Sequence, residues 1–204
     1  MYIYDNDFLT EEEKMRYAKS VKSAPYLFFD SIEAAKDNVV GIYGSKFSDN
    51  GIMTAGSNDW DIPDPLREIG KEIIAKFAEK HNFEIENILR IRTNLTFRSF
   101  DRRPMDPHVD LRMQYESFTC VYFVNNSDGN TNLYNERYTG KTITQDDLTL
   151  YKSFKPEAGG LLMFDGDIFH SWEYPYENDF RSSMVINVQG KFKNWSMMML
   201  YTMV

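Results

Sequence analysis

Two of the three histidines in this chain lie in strand-like text, and one of them stands two residues before a carboxylate. His108 and Asp110 form His-x-Asp, and on an extended strand a spacing of two puts both side chains on one face. With 3 His and 31 acidic residues, chance alone supplies about half such a pair, so the pair gains weight only from its company. His170 ends a strand-like run that begins just after Asp165-Gly166, and Arg181 and Ser183 follow with the spacing of one strand face. Two imidazoles and one carboxylate occupy one side of an octahedral ion and leave three positions open, the donor set suited to Fe(II) and O2. A guanidinium stays charged at working pH and matches a carboxylate with two parallel hydrogen bonds, so Arg181 suits the anchoring of an acid inside a protein. His81 stands beside Lys80 at a helix end and reads as a surface cation facing the helix C-terminus.

The elements that must position these groups are legible in outline. Tyr2, Ile3 and Tyr4 open an extended segment, and Thr10 with Glu13 has the capping-box spacing that starts a helix over about 10–22. Residues 41–61, rich in Gly, Ser, Asn and Asp, predict a long loop or a loosely held hairpin. Asp64 sits where an N-cap belongs, with Pro65 in the first turn, and Leu66, Ile69, Ile73 and Phe77 make one apolar stripe on a helix over about 65–81. From residue 88 the period becomes two: Ile91, Thr93, Leu95 and Phe97 alternate with Arg92, Asn94, Thr96 and Arg98. Further strands are predicted at 107–111, 117–125, 131–135, 149–154, 160–165, 168–174, 181–189 and 196–203. Asp165-Gly166 supplies a tight hairpin turn, and the polar stretch 125–148 reads as an excursion from the body. Two helices followed by many short strands predict an α+β, mainly β chain whose body is a jelly roll or barrel.

Taken together, His-x-Asp, then His, then Arg-x-Ser resembles the Fe(II)- and 2-oxoglutarate-dependent dioxygenases, in particular the prolyl 4-hydroxylase-like branch. The resemblance covers about residues 88–190 and rests on PHVD at 107–110, TCVYFVN at 119–125, DGNTNLY at 128–134 and PEAGGLLMFDGDIFHSW at 156–172. It implies a double-stranded β-helix of cupin-like type, with two N-terminal helices supporting it over about 1–87 and one domain over 1–204. It also implies that His108, Asp110 and His170 hold Fe(II), with no catalytic residue beyond these ligands. Arg181 and Ser183 would bind the far carboxylate of 2-oxoglutarate, with O2 as co-reactant and ascorbate admitted as reductant. Asn94 is a further cosubstrate candidate, and Arg98, Tyr122 and Trp172 are substrate candidates. Two departures stand out. The turn at Tyr174-Pro175-Tyr176-Glu177-Asn178 is wider than is common in the family, and Phe123 stands where several relatives carry a tyrosine that reaches the cosubstrate. Asp110 is retained, whereas halogenating relatives lack that carboxylate, so the implied outcome is hydroxylation of an unactivated C–H bond with release of succinate and CO2.

Composition limits the partners. The chain has 204 residues and a formal net charge of −8, which offers no general basic field for a polyanion, so nucleic acid is not expected. No stretch reaches the roughly 18 apolar residues needed to span a bilayer, and no signal-like start is seen, so the expectation is a cytoplasmic protein that does not engage membranes. The single Cys120 excludes an internal disulfide. The expected substrate is a protein or peptide side chain, prolyl first, with a free amino acid or another small metabolite as the alternative. A cupin-like metal protein without 2-oxoglutarate, and a non-catalytic barrel, remain as other readings. The oligomeric state is not legible. Trp60, Tyr174 and Tyr176 suit either pocket lining or packing, and Met197, Met198 and Met199 read as a core-facing or interface terminus.

Overall fold

The structure, a computed structural model, describes residues 1–23, 27–29, 41–47, 64–100, 104–111, 117–140 and 145–193. Strand β1 (Tyr2–Asp5) leads into α1 (Glu11–Lys22), whose start carries the predicted box: Glu13 N–H donates to the Thr10 hydroxyl and Thr10 N–H to the Glu13 carboxylate. After β2 (Leu27–Phe29) and β3 (Gly41–Phe47) comes α2 (Asp64–Lys80), and then β4 (Phe83–Phe97), β5 (Phe118–Phe123) and β6 (Thr131–Arg137). A short 3-10 turn at Gln145–Asp147 precedes β7 (Leu150–Phe154), β8 (Leu161–Asp165), β9 (Ile168–Trp172) and the long β10 (Phe180–Phe192).

Among the described residues the strands form two antiparallel sheets. The larger has the order β1-β8-β5-β10-β4-β3-β2, and the smaller is β7-β6-β9. The alternation of side chains sorts the large sheet into two apolar layers. Cys120, Tyr122, Leu161, Met163, Met184 and Ile186 meet Tyr17, Val21, Ile73, Ile74 and Phe77 of the helices. Val121, Phe123, Leu162, Phe164 and Val185 point the other way, toward Leu133, Phe154 and Ile168 of the small sheet. At about 1.5–3 kcal/mol for each large apolar side chain buried, both layers contribute heavily to holding the sandwich together. Leu66, Ile69, Ile73 and Phe77 are all buried, as the helical stripe predicted. Gly70 lets α2 lie close on β4, since a Cβ there would meet Ile91 at 3.0 Å. This is the jelly roll with two supporting helices that the sequence led us to expect. No helix among the described residues is long and apolar enough to cross a membrane.

Several local expectations are corrected. Gly41–Phe47, expected as a long loop or a loosely held hairpin, is a strand paired to both β2 and β4, because the ladder offered by β4 outweighs the poor strand propensity of its glycine and serine. β4 starts at Phe83 rather than 88, where the Phe83 ring packs on Phe118 and Phe192. Helix α2 starts one residue early, so Asp64 is helical and not the cap. Residues 107–111 are not a strand: His108 makes a single bridge to His170. Asp165-Gly166 turns the chain, but β8 and β9 belong to different sheets, so the turn passes from one layer to the other and closes no hairpin. The polar stretch expected as an excursion contains β6, the middle strand of the small sheet. Strand β9 ends at Trp172, short of 174. The predicted strand 196–203, Met197–Met199 and Trp60 lie outside the described residues.

Candidate metal centre

The two histidines arrive from opposite sides of one backbone pair. His108 N–H donates to the His170 carbonyl and His170 N–H to the His108 carbonyl, both at 2.9 Å, which brings the two ring centroids to 4.6 Å. Nδ1 of His108 lies 3.1 Å from the Asp106 carbonyl, and Nδ1 of His170 lies 3.2 Å from the Ile168 carbonyl. A carbonyl can only accept, so each ring carries its proton on Nδ1 and presents a lone pair at Nε2. Both Nε2 atoms face Asp110: His108 stands 4.0 Å from Oδ1 and His170 3.9 Å from Oδ2. Those separations are too long for hydrogen bonds. Ligand atoms of the three residues lie within 4.8 Å of one another, a spacing that fits a shared ion. The donor set of two neutral imidazoles and one carboxylate fits the same group. Burial, joined by the neighbouring His108, pushes the His170 imidazole down to about 4, so the ring is held in its neutral, ligating form.

Asp110 is held from behind by four residues that the sequence reading did not single out. Arg90 Nη2 lies 2.6 Å and Arg92 Nη2 3.7 Å from Oδ1. Asn187 Nδ2 donates to Oδ2 at 3.1 Å and to the Thr119 hydroxyl at 3.0 Å, while Arg90 Nε donates to Asn187 Oδ1 at 2.8 Å. Thr119 completes the set with a 3.4 Å contact to Oδ2. Burial works against the charge of Asp110, but Arg90 leads the opposite charges that outweigh it and hold the carboxyl well below its usual range. The group is therefore an anion oriented by fixed neighbours, as a metal ligand needs. The signal was present in the alternation Arg90-x-Arg92-x-Asn94: with Ile91 and Thr93 turned to the helices, the polar residues had to face the sandwich interior.

Along β10 the inner face carries Arg181, Ser183, Val185 and Asn187, so one strand links Asp110 to the arginine. Arg181 is 3% exposed. Its Nε donates to the Gly129 carbonyl at 3.0 Å, Nη1 to the Ser183 hydroxyl at 3.2 Å and Nη2 to the Thr131 hydroxyl at 2.8 Å. Its Cζ lies 5.8 Å from the centre of the Phe123 ring, so that phenyl supports the guanidinium face where a tyrosine hydroxyl is lacking. Among the described residues no carboxylate lies within ion-pair reach of Arg181, and burial pulls its pKa down to about 10 against a weaker opposing pull from the Glu173 charge. A buried cation with neutral partners is costly and fits an acidic ligand. Thr131 is a further contact that strand spacing alone did not reveal.

The remaining candidates separate. Asn94 lies on the inner face opposite Ser183, and its buried Oδ1 has no hydrogen-bond partner. Trp172 pairs with Thr131 and shares a face with His170, placing it beside the arginine pocket. Tyr122 is corrected: it is fully buried on the helix side, edge-on to Tyr17, and out of a substrate's reach. Arg98 is exposed past the end of β4, 3.7 Å from Asp179. His81 is not a surface cation, since it is buried with Nε2 2.8 Å from Asp5 Oδ2.

No family model matches this sequence, and no curated protein does. Solved structures share the fold. A 2OG-Fe(II) oxygenase family oxidoreductase from Burkholderia pseudomallei superposes with a TM-score of 0.62 at 14% identity, over 92% of this chain and 84% of that one. The epimerase SnoN of nogalamycin biosynthesis, solved with Fe3+, alpha ketoglutarate and nogalamycin RO, gives 0.59 at 12% identity, over 95% of this chain and 81% of that one. A Trichoplax adhaerens prolyl hydroxylase in complex with a hypoxia inducible factor peptide gives 0.55 at 14% identity, over 92% and 82%.

Proposed function

We propose that this chain is an Fe(II)- and 2-oxoglutarate-dependent oxygenase that hydroxylates an unactivated C–H bond. The observation that carries the reading is the pairing, on one interior face, of the His108/Asp110/His170 cluster with the buried Arg181. His108, Asp110 and His170 would hold the ion, with Arg90, Asn187 and Thr119 keeping the carboxylate aimed. Arg181 and Ser183 would receive the far carboxylate of 2-oxoglutarate, with Thr131 holding the guanidinium fork and Asn94 beside it. Bound there, iron and 2-oxoglutarate supply the oxidising power from O2, releasing succinate and CO2, with ascorbate available to restore the reduced metal. Val121, Leu162 and Val185 belong to the apolar cluster between the sheets and would help to keep water from these charges.

For the substrate we favour a protein or peptide side chain, prolyl first, on the strength of the prolyl-hydroxylase-like motifs. The main alternative is a free amino acid or another small metabolite, because a neighbour of this fold was solved with nogalamycin RO. The lone, buried Cys120 suits the cytoplasm. The deciding experiment is anaerobic titration with Fe(II) and then 2-oxoglutarate, followed by air. A weak visible charge-transfer band and slow succinate release are expected. Metal binding without the band would transfer the chain to the cupin-like reading, and no metal binding would leave a non-catalytic barrel.

A further inference from the structure

The wide turn between β9 and β10 folds around a single carboxylate. Asp128 Oδ2 accepts from the backbone N–H of Tyr176 at 3.0 Å and of Glu177 at 2.8 Å, and Oδ1 accepts from that of Asn178 at 3.1 Å. Asn178 returns the contact, its side-chain oxygen accepting from Asp128 N–H at 2.8 Å. Three backbone donors aimed at one carboxylate favour its anionic form, and its pKa lies below the usual value even though burial works the other way. The next residue, Gly129, passes against the same turn so closely that a Cβ would overlap the Glu173 carbonyl and lie 2.9 Å from Pro175 N. Gly129 then offers its carbonyl to Arg181 Nε, and Thr131 offers its hydroxyl to Nη2. Two of the three acceptors that aim the guanidinium therefore belong to the short segment that Asp128 pins.

We propose that Asp128 is a positioning residue for the cosubstrate: by clamping the 174–179 turn to the 128–131 segment it sets the direction of the Arg181 fork. The extra length of that turn serves this purpose, since it supplies the three N–H groups. Asp128 touches neither the metal cluster nor Arg181, and it acts through Gly129 and Thr131. The proposal rests on the oxygenase reading, because it concerns the acid that Arg181 would bind.

The test is calorimetric titration of Mn(II)-loaded protein with 2-oxoglutarate, in the absence of turnover. Asp128→Ala is expected to weaken 2-oxoglutarate binding about tenfold while leaving Mn(II) affinity within about twofold, a loss equivalent to about 1.4 kcal/mol. Asp128→Asn, which keeps an acceptor oxygen for the turn, is expected to recover part of the loss. In an Arg181→Ala background the same Asp128→Ala change should have no further effect, because the two act on one contact. Equal 2-oxoglutarate affinity in wild type and Asp128→Ala overturns the inference, as does a parallel fall in Mn(II) affinity or an additive effect in the double variant. Failure of the wild-type protein itself to bind 2-oxoglutarate overturns the oxygenase reading instead.

Discussion

Among the described residues histidine meets aspartate in two places, and the two meetings have opposite chemistry. At the end of α2, His81 Nε2 lies 2.8 Å from Asp5 Oδ2, so that nitrogen carries the proton and donates it to the carboxylate. Lys80 reaches the same carboxylate at 2.9 Å. Between the sheets, the protons of His108 and His170 are on Nδ1, turned to backbone carbonyls, and the Nε2 lone pairs face Asp110 across about 4 Å. The residue types are the same, but the tautomers are reversed. A hydrogen-bonded pair ties β1 to a helix, whereas a held-apart group leaves its lone pairs converging on a point. What distinguishes a metal centre is thus the direction in which each ring's proton is tied up, a second-neighbour property.

The largest expected effect separates the two sites directly. His108→Ala or His170→Ala should reduce Fe(II) affinity by at least about 100-fold and abolish succinate release, while His81→Gln leaves metal affinity within about twofold, as measured by calorimetry. Equal losses in all three variants would erase the distinction. Next in size, Arg181→Ala should raise the 2-oxoglutarate requirement about 100-fold with metal binding retained, the loss of a charged hydrogen-bonded partner. Loss of the metal in that variant would mean the arginine supports the cluster and not the cosubstrate.

The two carboxylates differ in what they leave behind. Asp110→Ala strands the buried Arg90 and should cost the metal-free protein about 3 kcal/mol. Asp5→Ala releases Lys80, whose side chain is 42% exposed and can be rehydrated, and leaves the neutral, buried His81 without its acceptor, so its cost in urea unfolding should be about 1–2 kcal/mol, below that of Asp110→Ala. The smallest effect is on pH. Burial, against the pull of Asp5, lowers the His81 pKa below 6.5. The unfolded chain then takes up this proton first, so stability falls as pH drops below about 6.5. Asp5, also lowered, adds a loss below about 3.8. His81→Gln should flatten the melting temperature between pH 5 and 6.5; an unchanged slope would place the titrating group elsewhere.

The cluster was legible from the chain because its members obey local rules. Arg181 and Ser183 sit at a spacing that β10 turns into one face, the helical stripe of α2 is likewise periodic over its own length, and His108 stays near Asp110 by closeness in the chain although their segment is not a strand. What failed were properties set by distant partners. Arg90 and Arg92 were not recognised as partners of Asp110, since nothing local states that the other face of β4 is taken by helices. Tyr122 follows from the same cause, because one step along β5 separates the helix side from the interior. His81 looked like a helix-end cation until β1, far away in the chain, brought Asp5 to it. The strand at Gly41–Phe47 exists through its pairing with β4, and its own composition argues for a loop.

If the cluster holds an ion as proposed, the backbone bridge between His108 and His170 would also make it a proofreader. This single bridge fixes which residue lies opposite His170, so a slip of one residue would set Pro107 or Val109 there and carry the first imidazole off the cluster. Only correctly registered molecules would then take up the ion, and the bound form would be stabilised against unfolding in proportion to the logarithm of ion concentration over its dissociation constant. Slowed amide exchange at His108 and His170 on metal addition would register this selection. Scarcity of the metal would accordingly be felt first as a larger share of misthreaded, protease-sensitive chains, and not simply as idle catalyst.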